Sequence, residues 1–418
     1  MNNYKIAIIG LGYVGLPLAI EFAKKYSTIG FDINNGRIDD LRNGIDNTNE
    51  VETDILKEST IKYTTNPDNI SETNIYIITV PTPINEFKQP DLSYLKSASK
   101  TVGEYLKKGD IVIYESTVYP GCTEEDCVPI LELQSGLKFN RDFYCGYSPE
   151  RINPGDRVNT LTKIKKVTSG STPEIAKVID KLYLSIIMAG THLAPSIRVA
   201  EASKAIENAQ RDVNISFVNE LSLIFDKMNI DTHDVLDAAA TKWNFLNYKP
   251  GLVGGHCISV DPYYLAHKSK SLGYDPEVIL SGRKINDRMG KFVARKVIKL
   301  LIEQSCTVKG SDALILGITF KENCPDIRNT KVLDMFSELN DFGVNVDIYD
   351  PHAIQEEVKN EFNIQLLTSI GTKKYHAIIL AVSHDEFLNF DYKKLRQNKS
   401  VIFDIKSYLD RRLVDARL

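Results

Sequence analysis

The run Gly251-Leu252-Val253-Gly254-Gly255-His256-Cys257 ends in a cysteine and is followed four residues later by Asp261. Glycines let backbone approach a ligand closely, and a cysteine at the end of such a loop can reach the same ligand. Its thiolate is the reactive form, favoured by nearby N–H groups or cations. The loop therefore fits nucleophilic chemistry, and taken alone it fits a small buried structural cysteine as well. Lys204, Asn208 and Arg211 stand at i, i+4 and i+7, so a helix would put them on one face. Alanines and Ile206 around them point to a partly buried helix, although a solvated polar stripe has the same spacing.

A second constellation lies near the start. The apolar run at Lys5–Ile9 leads into Gly10-Leu11-Gly12-Tyr13-Val14-Gly15 and then a helical pattern. Three glycines at this spacing permit a tight turn, let backbone meet a pyrophosphate, and let the helix pack on the strand. The pyrophosphate then sits at a helix N-terminus, whose N–H groups and dipole favour negative charge. Asp32 ends the next apolar run, where a carboxylate can hold ribose hydroxyls and repel a 2′-phosphate. The expected cofactor is NAD rather than NADP. Arg37 is a candidate for the adenosine side, with a solvated helical arginine as its alternative. Thr79, Pro81 and Thr82 end one strand of the same sheet, and Ser116 and Thr117 end another. Ligands of open α/β sheets bind beyond the carboxyl ends of strands, so both turns are candidate cofactor contacts.

These groups need elements to position them. Strand-like runs at Lys5–Gly10, Thr28–Ile33, Asn74–Pro81 and Asp110–Thr117 alternate with helical patterns such as Tyr13–Lys25 and Leu92–Lys107; Phe143–Tyr147 and Lys166–Ser169 are weaker strands. This alternation indicates a parallel sheet covered on both faces. Ser196–Lys227 carries apolar residues at helical spacing with no proline or glycine, hence one long helix. Helices at Thr232–Ala240, Pro262–Ser271 and Pro276–Glu303 come after it. Strand patterns then resume at Ala313–Ile318, Val344–Tyr349, Ala377–Val382 and Val401–Ile405, with a helix near Thr330–Asp341. The expectation is an α/β chain of two Rossmann-like domains with parallel sheets, joined by a long central helix and a helical middle domain. Its parts are an NAD-binding domain at 1–195, a helical central and dimerisation domain at 196–305, and a second Rossmann-like domain at 306–418.

Composition excludes other classes. In 418 residues, 51 basic and 55 acidic side chains leave a net charge of −4, so no polyanion-binding face and no nucleic-acid partner are expected. Six cysteines without a CxxC pair, and no clustered histidines, indicate neither a disulfide framework nor a metal site. The apolar stretch Ile6–Ala23 superficially resembles a leader, but three glycines, Pro17 and Glu21 interrupt it. A cytoplasmic protein without a membrane span is expected, as a homodimer or higher assembly built on the long helix, whose apolar residues lie on more than one face.

Taken together, the motifs resemble the UDP-glucose/GDP-mannose dehydrogenase family. They are GLGYVGLP at the start, FDIN around Asp32, VPTP at 80–83, ESTVYPG at 115–121 and SPERINPG at 148–155. They continue with EASKAIENAQRDVNI at 201–215, PGLVGGHCISVDPYYL at 250–265, GITFKENCPDIRNTKV at 317–332 and YDPHA at 349–353. The resemblance runs through almost the whole chain in one order. It implies a four-electron oxidation of a UDP-sugar at C6. One hydride leaves C6 for NAD, Cys257 captures the aldehyde as a thiohemiacetal, a second hydride transfer gives a thioester, and water releases the acid. It gives Lys204 and Asn208 to the developing oxyanions and Asp261 to a water or the lysine. Thr117 and Glu150 border the reacting carbon, with Glu150 as candidate base. Glu150, Arg151, Ile152, Lys204, Asn208, Arg211, Gly251, Arg283, Phe320, Lys321 and Lys406 become candidate UDP-sugar contacts, and Arg328 a further NAD contact. Lys406 stands where relatives acting on UDP-glucose have an arginine, and Thr241, 16 positions before the cysteine, is a second such departure. With SPERINPGD and TKWNFLNYKPGLVGGHC, the Thr241 departure places the chain nearest the branch acting on UDP-N-acetylglucosamine or UDP-N-acetylgalactosamine, while the Lys406 departure leaves the role of that residue open. UDP-glucose and UDP-N-acetylmannosamine are the alternatives. A two-electron 3-hydroxyacid dehydrogenase would need neither the loop cysteine nor a second nucleotide-binding domain, and a silent nucleotide sensor would not need Lys204, Asn208, Cys257 and Asp261 together.

Overall fold

The computed structural model describes residues 4–152, 158–255 and 258–418. They form two compact units, residues 1–207 with 263–274 and residues 208–262 with 275–418.

In the first unit the chain runs through β1 (Lys5–Ile9), α1 (Gly15–Ala23), β2 (Ser27–Phe31), α2 (Asn35–Arg42), α3 (Thr53–Glu58), β3 (Lys62–Thr64) and β4 (Ile75–Ile78). It continues through α4 (Ser93–Tyr105), β5 (Ile111–Tyr114), α5 (Val128–Ser135), β6 (Tyr144–Tyr147), β7 (Lys166–Gly170), α6 (Pro173–Leu184) and β8 (Thr191–Leu193). The sheet has the order β3-β2-β1-β4-β5-β6-β7-β8, all parallel pairings except β6 against β7. Central strands read as continuous apolar runs because both faces are covered: every residue of β4 and β5 is buried. Helix α6 shows why a helix forms on one face. Thr172 caps it by accepting from Ile175 N–H at 3.3 Å, Pro173 occupies its first turn, and Ala176, Ile179, Leu182 and Tyr183 are buried at helical spacing.

Next in the chain is α7 (Ile197–Met228), 32 residues and so about 48 Å long at 1.5 Å per residue. It is followed by α8 (Thr232–Ala240), α9 (Asp261–Ser271) and α10 (Glu277–Glu303). The second unit then builds its sheet from β9 (Asp312–Leu316), α11 (Val332–Asp341), β10 (Asn345–Tyr349), α12 (Gln355–Phe362), β11 (Tyr375–Leu380), α13 (Tyr392–Leu395), β12 (Arg396–Asp404) and β13 (Ala416–Arg417). The order is β10-β9-β11-β12-β13, parallel throughout. Helix α10 lays Met289, Val293, Ala294, Val297 and Leu301 on this sheet, sharing a core with Ala313, Ile315, Ile379 and Phe403.

Two parallel-sheet, Rossmann-like folds and a long central helix are therefore present as the pattern implies. The strand expected to run to Pro81 stops at Ile78, because the next residues turn off the sheet and a proline has no N–H for a ladder. Short edge strands β3 and β8 carry too little pattern to be read from sequence. Among the described residues no helix is long and apolar enough to cross a membrane, and no group of three His, Cys, Asp or Glu could hold a metal ion.

Candidate active site

The glycine turn after β1 has the geometry a dinucleotide needs. Gly10 takes φ +95°, a conformation a side chain disfavours. A Cβ on Gly15 would collide with the Gly10 carbonyl oxygen, whereas one on Gly12 would meet nothing within 4 Å. Gly15 thus serves the packing of α1, and the Gly12 side of the turn is open. Val14 gives α1 no side-chain cap, which leaves that role to a ligand anion. Asp32 is fixed at the end of β2: Oδ2 accepts from Leu11 N–H at 2.8 Å and Oδ1 from Asn34 N–H at 2.9 Å. These residues fit NAD.

Two expected cofactor contacts turn out to support this turn. Arg37 donates through Nε to the Leu11 carbonyl at 2.9 Å, and its Nη1 lies 2.8 Å from Asp46. Burial raises the Asp46 carboxyl, but hydrogen bonds from Thr48, Val51 and Arg37 outweigh it and hold the group below its usual value. Thr79 donates to the Gly10 carbonyl at 2.7 Å and lies within 3.1 Å of that of Ile9, clamping the turn from β4. The loops beyond β4 and β5 are stitched together, with Thr82 donating to Thr117 O and Ser116 to Val80 O, at 2.7 and 2.6 Å. Pro81 belongs to the same turn.

Glu150 follows β6 and is buried. Its Oε1 accepts from the N–H groups of Arg151 and Ile152 at 2.5 and 2.6 Å, and its Oε2 from Lys166 Nζ at 3.0 Å. Arg151 pairs with Glu207 at 2.8 Å and donates to Lys165 O. On α7, Lys204 is buried, as expected for a helix with one covered face.

In the second unit, Asn208 donates to Asp261 Oδ2 at 2.5 Å, and both side chains are buried. The hydrogen bond joins Asn208 of the helical row to the aspartate just past the glycine-rich loop. Arg211 is exposed. Arg283 is fully buried between Asp212 and Asp287, each at 2.6 Å. Burial raises the Asp212 carboxyl despite Arg283. Asn286 donates to Asp212 Oδ1 at 2.7 Å and accepts from Asn219, which grips both backbone groups of Gly251, at 2.8 and 3.1 Å. Arg283 is therefore connected to the glycine-rich loop by a chain of buried amides.

The loop's glycines have a cause the sequence does not reveal. A Cβ on Gly254 would come within 2.9 Å of Asn329 O, and one on Gly255, at φ +85°, within 2.9 Å of the Phe320 ring. Gly255 also donates to Arg328 O and accepts from Asn329 Nδ2, both at 3.1 Å. Both glycines thus answer to the close approach of protein atoms. Phe320 is thereby set against the loop, with Lys321 Nζ 6.0 Å from its ring centroid. Arg328 forks onto Asp326 at 2.5–3.1 Å. Lys406 faces Gly251, its amine 3.1 Å from where a Cβ would be, and burial lowers its pKa. Thr241 is exposed and donates to Ala238 O at the end of α8. His256 and Cys257 lie outside the described residues, as do residues 153–157, which include the last three residues of the SPERINPG motif.

Sequence reading misses Lys166, Glu115 and Asn219. A lysine inside the weak strand pattern of β7 is the available signal, since a lysine is almost never fully buried unless paired. The asparagine offers none.

Models of the UDP-glucose/GDP-mannose dehydrogenase family match in three parts: the NAD binding domain over residues 4–187, the central domain over 198–288 and the UDP binding domain over 314–411. A UDP-N-acetyl-D-glucosamine 6-dehydrogenase from Pseudomonas aeruginosa is 56% identical, covering 100% of both chains. Protein CapL from Staphylococcus aureus is 52% identical over 98% of this chain and 97% of its own. The solved structure of a UDP-D-ManNAc dehydrogenase from Pyrococcus horikoshii superposes with a TM-score of 0.89 at 29% identity, covering 99% of this chain and 98% of that one.

Proposed function

This chain belongs to the UDP-glucose/GDP-mannose dehydrogenase family and is an NAD-dependent nucleotide-sugar dehydrogenase, and from that premise we propose that it oxidises C6 of UDP-N-acetylglucosamine to the carboxylate through Cys257. The observation that carries the chemistry is the buried Asn208–Asp261 hydrogen bond, four residues past the cysteine. The sugar is supported by two relatives named UDP-N-acetyl-D-glucosamine 6-dehydrogenase at 56% identity. UDP-N-acetylgalactosamine is the next candidate, then UDP-N-acetylmannosamine and UDP-glucose.

NAD, when bound, supplies the hydride acceptor for both oxidations. The hydroxyl at C6 loses a hydride and a proton, leaving an aldehyde. The Cys257 thiolate adds to the aldehyde carbon, and Lys204 and Asn208 hold the oxyanion of the thiohemiacetal. After the second oxidation the carbon is a thioester. Water then adds to its carbonyl, the C–S bond breaks, Cys257 leaves as thiolate, and Glu150 takes the water's proton. Asp261 orients Asn208, and Thr117 borders the reacting carbon. Gly10 to Gly15, Asp32, Ser116 and Arg328 serve NAD, with Arg37 and Thr79 shaping its turn. Arg151, Ile152, Arg211, Gly251, Phe320, Lys321 and Lys406 serve the UDP-sugar, because a pyrophosphate favours fixed cations and a uracil a ring to stack on. Arg283 would act on Gly251 through Asn286 and Asn219. The working parts are residues 1–195, 196–305 and 306–418.

The product, a UDP-N-acetylhexosaminuronic acid, would feed an acidic surface polysaccharide such as a capsule or O-antigen. The enzyme would act in the cytoplasm, and a homodimer is supported by the exposed Val199, Ile206, Phe217, Ile224 and Met228 along α7. The test is NADH yield across four UDP-sugars, on a preparation sized by light scattering. Two NADH per UDP-N-acetylglucosamine, with UDP-glucose poor and a dimer in solution, is expected. One NADH per sugar would overturn the covalent route, equal use of UDP-glucose the assigned sugar, and an active monomer the dimer.

A further inference from the structure

A buried ion-pair cluster of the first unit joins Glu150 to two residues that have no assigned role, Lys166 and Glu115. Lys166 of β7, with a side chain 2% exposed, extends between Glu115, at the end of β5, and Glu150, after β6. Its Nζ is 2.6 Å from Glu115 Oε2 and 3.0 Å from Glu150 Oε2. Tyr183 of α6 donates to the other oxygen of Glu115, and its ring lies 5.7 Å from Lys166 Nζ. The remaining charges nearby are engaged elsewhere: Arg151 with Glu207, and Asp180 of α6 with Thr168. One ammonium thus serves two carboxylates in a water-poor site, where isolated charges are costly.

We infer that Lys166 and Glu115 are positioning residues for Glu150. Lys166 fixes Glu150 Oε2 through a charge-assisted hydrogen bond, while Glu115 competes for the same ammonium and tempers its hold. The inference rests on Glu150 being the base for acyl-enzyme hydrolysis. A base must be ionised to take the water's proton, and a cation 3.0 Å away favours the ionised form. The two N–H groups on Oε1 fix its orientation and favour the same charged form, and the Lys166 contact is the part that a side-chain substitution can remove. The same ammonium lies 2.6 Å from Glu115 Oε2, so a charged Glu115 draws it away from Glu150.

The two partners carry opposite signs, so their removal has opposite effects. Lys166→Met strips the cation from Glu150 and should move the acid limb of the hydrolysis rate up by a pH unit or more. Glu115→Gln leaves the ammonium to Glu150 alone and should move that limb down. The experiment tracks the pH dependence of the second phase of NADH release and of acid formation in the full-length enzyme with UDP-N-acetylglucosamine and NAD. The first hydride equivalent and the KM for the sugar should stay within a few-fold in both variants, and Lys166→Arg should restore most of the profile. Shifts of one sign in both variants, or no shift beyond 0.3 units, would overturn the inference. Glu115→Gln is nearly isosteric, so its downward shift remains decisive if Lys166→Met fails to fold. If the wild type forms no acid from any UDP-sugar, the proposed function fails by itself. The same signs are then read from a carboxyl carbon-13 titration of Glu150 in the unliganded proteins, assigned with Glu150→Gln.

Discussion

The two sheets make the same first turn and then use it differently. Gly10 (φ +95°) donates to Phe31 O at 2.8 Å, and Gly317 (φ +92°) donates to Tyr349 O at 2.9 Å. The next residue in each turn donates to an aspartate ending the neighbouring strand, Leu11 to Asp32 at 2.8 Å and Ile318 to Asp350 at 2.7 Å. Each aspartate also caps the residue two further on, Asn34 or His352. Divergence begins after that. In the first sheet α1 starts at Gly15, and Thr79 clamps the turn through its hydroxyl. In the second sheet the equivalent ladder position is Ala381, which has no hydroxyl, and α11 starts only at Val332. Asp350 additionally accepts from Thr319 N–H and Ala353 N–H and meets buried His384 at 3.1 Å. A carboxylate with about four lone-pair sites is thereby filled by protein. On the proposed reading, such a turn serves adenosine only while its aspartate keeps capacity and its helix starts at once.

The largest effect should come from Gly15→Ala. Its Cβ would lie against the Gly10 carbonyl oxygen and 2.5 Å from Thr79 Oγ1. Overpacking of this kind costs about 1–3 kcal/mol, so NAD affinity should fall roughly 10–100-fold by calorimetric titration. Gly317→Ala, whose Cβ would come 2.5 Å from Val382 Cβ, should lower thermal stability and spare NAD affinity. A loss of NAD affinity at Gly317 would break the distinction between the two turns.

Next in size is Asp350→Ala, whose loss of a buried acceptor costs about 1–3 kcal/mol. The unfolding midpoint should drop by several degrees while the KM for NAD stays put. Burial alone would raise the Asp350 carboxyl, but His384 and the N–H groups of Ile318 and Ala353 outweigh it and hold the group well below the usual range. A carboxyl depressed in the folded state stabilises above its unfolded pKa of about 3.9, and that contribution is lost as pH falls below it. The variant's stability deficit should therefore shrink from pH 6 towards pH 3. A deficit that grows in acid would contradict the ion-pair account.

Much of this was legible in residues. The strands showed because buried parallel strands are unbroken apolar runs, and α7 because its periodicity met no proline or glycine over 32 residues. The dinucleotide turn showed because its glycines and Asp32 are tied to adjacent elements. What stayed hidden was partnership across long chain separations. Nothing local to Arg37 says that its guanidinium caps Leu11, and nothing near Gly254 or Gly255 announces Asn329 and Phe320. The glycines of that loop suggested a ligand, whereas two of them are accounted for by protein atoms. Lys166 lay in a visible strand, but its two carboxylates come from other strands 51 and 16 positions away.

The smallest and sharpest test of the comparison is Asp32→Asn. An asparagine oxygen can still accept from Leu11 N–H, which lies 2.8 Å from the present carboxylate, so the turn should keep its shape. What is lost is the negative charge at the ribose position. Asp32 is only partly buried and holds two backbone contacts, leaving acceptor capacity for ribose hydroxyls, in contrast to Asp350. The same charge should repel a 2′-phosphate. Its removal should weaken NAD slightly through the loss of charge-assisted hydrogen bonds and improve NADP, narrowing the ratio of their kcat/KM values about tenfold, or ~1.4 kcal/mol. The thermal midpoint should change little, because no buried donor is stranded. Comparison with Asp350→Asn separates charge from structure: that variant should lower the midpoint and leave the cofactor ratio alone. If wild-type enzyme already uses NADP as well as NAD, or if Asp32→Asn leaves the ratio unchanged, then Asp32 is no more a cofactor residue than Asp350, and the two turns differ only in how soon a helix begins after each.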